Sequence, residues 1–205
     1  MQKTLQNAAL IISTLLHPLF MPILGVLFMY NSGTYASLLP YQAKRIILLV
    51  IAVNTCILPL LTIPLFVKLG LIKSLHMHHH RERIIPMGFT LIPYLFSVYF
   101  LGRLPIPGVI TTFMLGAVAL ILISMVISIW WKISIHMLGI GGMMGFILSF
   151  TIRLHADALA FVIMVVLASG LLAWSRLQLG AHNPPQVYGG FAIGAFIMFL
   201  PFFLL

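Results

Sequence analysis

PGVITTFMLGAVALILISMVISI, residues 107–129, runs 23 positions without a charge. At 1.5 Å of rise per residue an α-helix of that length reaches roughly 34 Å, enough for a hydrocarbon layer about 30 Å thick. Lipid offers no water to backbone amides, so a helix is the form such a run takes. Similar runs lie outward from it in both directions, at 8–30, 46–67, 87–102, 137–152, 158–173 and 187–205. Seven helical passes are predicted, or six if the first is incomplete, because His17-Pro18 and Pro22 interrupt it. The fold class is all-α, a polytopic transmembrane helix bundle. With no repeat and no linker, residues 1–205 form a single integral membrane domain.

Composition excludes the competing classes. Of 205 residues 62% are apolar and 6% charged, against about a quarter charged in a soluble domain. Net charge +9 would suggest nucleic acid in a soluble protein. Here the bases stand singly or in pairs between apolar runs, where membrane-edge loops account for them, so no nucleic-acid partner is expected. The single Cys56 lies in an apolar run and excludes a disulfide framework. Residues 8–30 are too long for a signal core and lack a small-residue exit. Gly141/Gly145 and Gly190/Gly194 are small residues four apart, the spacing that lets two helices approach closely.

The breaks alternate between two faces. Face A, on the side of the N-terminus, takes 68–86, 130–136 and 174–186; face B takes 31–45, 103–106 and 153–157. Face A collects most of the histidines and bases and all three tryptophans, Trp130, Trp131 and Trp174. Polar groups beside hydrocarbon are costly, so their concentration at one face points to a site. Setting aside four bases assigned to that site, three bases remain on face A (Lys3, Lys68 and Lys73). Face B has four (Lys44, Arg45, Arg103 and Arg153), which slightly favours it as the cytoplasmic side.

Two segments of face A carry chemistry. In Ser175-Arg176-Leu-Gln-Leu-Gly-Ala-His182-Asn-Pro-Pro-Gln186 an Arg stands six residues before a His, across the junction of two spans. Arg offers a planar fork to phosphate or carboxylate oxygens; a neutral His attacks or transfers a proton. In Lys132-Ile-Ser134-Ile-His136 a cation, a hydroxyl and an imidazole alternate just before a helix, whose N-terminal amides attract anions. Two spans separate His136 from His182, so both imidazoles return to one face.

On these residues the chain resembles the type-2 phosphatidic acid phosphatase superfamily of integral membrane lipid phosphatases. Its third signature, S-R-x5-H-x3-D, is matched by Ser175, Arg176 and His182. Its second, P-S-G-H, is matched in part by Ser134 and His136. The resemblance covers about residues 130–205. It implies that His182 takes the phosphoryl group, that His136 is the acid for the leaving group, and that Arg176 and Ser134 hold phosphate oxygens, with Lys132 alongside. It also implies chemistry with no cofactor and no metal. The family's orienting Asp is Gln186 here, and Ile133 and Ile135 replace the Pro and Gly of the second signature. The first signature, K-x6-R-P, has its nearest counterpart in His78-His79-His80-Arg81-Glu82-Arg83-Ile-Ile-Pro86, which makes Arg81 and Arg83 further phosphate ligands.

The expected activity is hydrolysis of a lipid phosphate or diphosphate through a phosphohistidine, with membrane lipids as partners. The resemblance would put it in the bacterial inner membrane, with the site facing the periplasm or outside. One alternative is a catalytically degenerate relative that binds or moves phospholipid, motivated by Gln186. A metal transporter is the third, suggested by His76-Met77-His78-His79-His80. Consecutive histidines point in different directions, however, and within the spans only His17 fits a ligand role.

Overall fold

The computed structural model describes residues 2–70 and 80–204, and within these the chain is all-helical. The helices are α1 (Gln2–Leu15), α2 (Met21–Tyr30), α3 (Tyr41–Ala52), α4 (Leu58–Lys68), α5 (Ile84–Gly102), α6 (Gly108–Ile127), α7 (Ile135–Leu154), α8 (Leu159–Gln178) and α9 (Pro184–Leu204). α1 and α2 are two halves of one span of residues 2–30, and α3 and α4 of another, residues 41–68. With α5 to α9 they make seven segments long and apolar enough to cross a membrane. The chain is an integral membrane helix bundle.

Both divided spans break where the sequence dictates. Pro18 and Pro22 follow His17, which accepts the Leu19 amide (3.3 Å) and caps a 3₁₀ turn, Pro18–Phe20. A five-residue π turn, Val53–Ile57, joins α3 to α4. There the buried Asn54 donates to the Val50 carbonyl at 2.8 Å, just before Pro59. The first span is therefore broken at His17-Pro18, as its prolines suggest.

The core is a parallel pair, α7 and α9, with α8 returning between them. The glycines of the two helices face each other. A β-carbon on Gly141 would fall 2.2 Å from the Phe191 carbonyl oxygen, one on Gly145 2.0 Å from that of Ala195, and one on Gly194 2.1 Å from that of Leu138. Backbone meets backbone, as the four-residue spacing of small residues implies. At the face-A end the Ser134 amide donates to the Gln186 carbonyl at 3.3 Å, which sets the two helix N-termini side by side. α2 runs along α7, with Pro18 against Gly139 at one end and Phe28 against Phe146 and Phe150 at the other.

Candidate active site

Arg176 and His182 converge because the chain reverses between them. α8 ends at Gln178, and Gly180 takes φ +60°, a left-handed conformation natural to glycine. The Gly180 and Ala181 amides donate back to the Leu177 and Arg176 carbonyls. α9 then opens on a reciprocal cap. Asn183 Oδ1 accepts the Gln186 amide (3.1 Å), and Gln186 Oε1 accepts the Asn183 amide (3.3 Å).

That cap defines the histidine. Gln186 Oε1 also lies 3.0 Å from His182 Nδ1. Because it accepts from the Asn183 amide, this atom is the amide oxygen and carries no proton. His182 Nδ1 must therefore donate, and in the neutral ring Nε2 is left with its lone pair. Gln186 thus sets the tautomer that a carboxylate would set, without the negative charge that steadies an imidazolium.

His182 is buried and lines a cavity of about 620 Å³ together with Arg83, Lys132, His136, Arg176 and His17. Each cation comes from a different element. Arg83, 9% exposed, ends the 3₁₀ turn His80–Arg83 and donates to the Ile133 carbonyl (3.2 Å). Lys132 precedes α7, and Arg176 sits in the last turn of α8. Arg176 donates to Ser13 Oγ at 2.6 Å, while its Nε is buried with no partner among the described residues. An unmet N–H inside a protein costs about 1–3 kcal/mol, which an acceptor oxygen reaching it would recover. Among the described residues no carboxylate lines the cavity.

Burial and the nearby charges disfavour further protonation here. The His182 ring is lowered to about 4, first by burial and then by Arg83, Arg176 and Lys132; the Gln186 bond opposes this. Lys132 is lowered by burial and by Arg83 and Arg176, and Arg83 by burial. At neutral pH His182 is an uncharged imidazole in a cationic pocket.

Of the residues read from the sequence, His182, His136, Arg176, Lys132 and Arg83 meet at the cavity, and Gln186 holds His182 from behind. Ser134 is fully buried and does not line it. Its hydroxyl accepts the Met137 amide (3.5 Å) and caps α7, so it positions the His136 helix. Ser175 is also buried, its hydroxyl bound to the Ala9 carbonyl at 2.6 Å. The Arg81 side chain and residues 76–79 lie outside the described residues. Among those described, no three His, Cys, Asp or Glu form a group fit for a metal.

Two further residues join the site: Ser13, which the sequence did not single out, and His17, which it named only as a candidate metal ligand. The His17 ring stands edge-on to His136, centroids 5.0 Å apart. Ser13 holds Arg176 through its hydroxyl. The one available signal was a polar His-Pro step inside an apolar span. No family model, no curated protein and no solved structure matches the chain.

Proposed function

We propose that the protein is a lipid phosphate phosphatase working through a phosphohistidine. One observation carries the reading. A histidine whose tautomer is fixed by its own helix cap faces a cavity with two arginines, a lysine and no carboxylate among the described residues. The phosphate oxygens bind Arg83, Lys132 and Arg176, with Arg176 Nε among the donors. The N-termini of α7 and α9 add their dipoles.

The chemistry runs in two steps. The Nε2 lone pair of His182 attacks phosphorus, and the phosphorus–oxygen bond to the lipid breaks. His136, which takes up a proton once the phosphate's negative charge stands beside it, gives that proton to the leaving oxygen. Water then attacks the phosphohistidine, loses a proton to His136, and releases phosphate as the nitrogen–phosphorus bond breaks. Cations already in place stabilise the charge spread over the transferring group. The active site would open at face A, toward the periplasm or outside in a bacterial inner membrane.

The second reading, a phospholipid binder without turnover, is favoured by Gln186, whose neutral amide leaves the imidazolium unsteadied. One assay separates the two: phosphate release from lipid mono- and diphosphates, with chelator, by wild type and His182→Ala. The enzyme reading expects release that falls by about 10⁴-fold or more in the mutant. No release from folded wild type, with lipid phosphate still bound, would establish the binder.

A further inference from the structure

We propose that the cavity gauges chain length, taking a single-chain lipid phosphate whose tail lies inside the bundle. This names the substrate class of the same site and rests on the phosphate reading for its polar end. The cavity does not stop at the charged groups. Along α6 its lining descends from Ser124 to Phe113, about three turns or roughly 16 Å. Along α5 it descends from Pro86 to Tyr94, about two turns.

The descending walls are mostly apolar, and two of their three hydroxyls already donate to the protein. The Thr90 hydroxyl is bound to the Pro86 carbonyl (2.8 Å), and that of Ser124 to the Ile121 carbonyl (2.8 Å) and the Met87 sulfur (3.2 Å). The remaining wall is Leu, Ile, Ala, Gly, Met and Pro, with the Tyr94 ring at the lower end of α5. Phe113 and Met198 close the floor, each 2% exposed. Behind them the packing is tight: the Phe113 ring fills the space beside Gly25, and the Met198 sulfur that beside Gly116.

Volume decides between one tail and two. At about 30 Å³ per heavy-atom group, the share of a water molecule in the liquid, 620 Å³ holds roughly 20 groups. A phosphate takes about five, leaving room for one chain of about 15 carbons. A two-chain phospholipid phosphate is about twice that size and does not fit with both tails inside.

The test uses the full chain in amphipol and alkyl monophosphates from hexyl to octadecyl, below their micelle concentrations. Binding is read by calorimetry without reference to turnover. Affinity is expected to rise about fourfold per methylene and to level off near about 15 carbons. Ala117→Phe, which puts a ring into the shaft, should level it off several carbons earlier. Phe113→Ala, which lowers the floor, should move the plateau to longer chains and carries the test if Ala117→Phe does not fold. Dioleoyl phosphatidic acid should compete poorly. Affinity without a plateau, a plateau both variants leave in place, or no binding of any alkyl phosphate would overturn the gauge. Phosphate release without chain discrimination removes the gauge alone; a gauge without phosphate release removes the phosphatase alone.

Discussion

The two ends of the bundle are built from the same helices to opposite specifications. At face B, Phe28, Phe113, Phe146, Phe150, Phe161 and Phe202 mesh ring to ring, with centroids 4.5–5.7 Å apart. At face A, cations and imidazoles surround open space, and a buried guanidinium nitrogen has no partner among the described residues. α7 belongs to both, with His136 in its first turn and Phe146 and Phe150 toward its end. The packed end holds the helices together and lets the other end keep mutually repelling groups close. Such groups disfavour the folded state and are retained where a ligand resolves them.

If that division is right, each end fails in its own way. Arg176→Ala should lower kcat/KM for lipid phosphate by about 10²–10³-fold, the usual loss when one donor to a transferring oxyanion is removed. Its thermal unfolding temperature should stay level or rise, because a buried charge is gone. Phe150→Ala should do the reverse. A truncated side chain in lipid forfeits packing more than transfer energy, so about 2 kcal/mol of stability is the expected loss. Below its lowered melting temperature, kcat/KM should hold. Loss of activity and stability together in either variant would break the division.

Gln186 sharpens the comparison within the polar end. Gln186→Glu keeps the helix cap, since Glu suits the third position of a capping box and the positive end of a helix. It places a carboxylate behind His182 Nδ1. The expected result is a kcat increase of about tenfold, with a higher KM because a negative charge now stands near the phosphate. A fall in kcat would mean that the amide, and not the missing charge, is what this site requires.

How much of this was legible depended on sequence distance. Seven apolar runs were plain, yet several were read short. The run read as 137–152 is helical from 135 to 154, and 158–173 continues to 178. Those missing turns carry His136 and Arg176, because hydropathy ends a helix where its functional residues begin. The Gly141/Gly145 and Gly190/Gly194 spacing marked two helices built for close approach; that they meet each other is seen only in the fold. Arg176 and His182 were readable together because Gly180 closes a local turn. Ser134 was read as a phosphate ligand by its place in a motif; its place before α7 makes it a cap instead. His17 and Ser13 meet partners more than a hundred positions away, across a proline break whose direction no local pattern specifies. Arg83 stood between these cases: its segment suggested an anion ligand, and only packing against the Ile133 carbonyl brings it to the cavity.

The smallest expected effect tests whether the polar end acts as one electrostatic unit. The free-enzyme profile of kcat/KM reports the nucleophile in its neutral form. With the His182 ring lowered to about 4, activity should hold through mildly acidic pH. It should fall only as pH drops through about 4, where Nε2 takes a proton and loses its lone pair. Arg83→Gln removes one of the charges that disfavour the imidazolium, so the acid limb should move to higher pH. Burial is the larger cause and remains, so the move should be a fraction of a pH unit. A limb that stays put would mean that Arg83 acts on bound phosphate alone. A limb near the ordinary value of 6.5 in the wild type would mean that water reaches His182 freely and that burial does not govern its protonation.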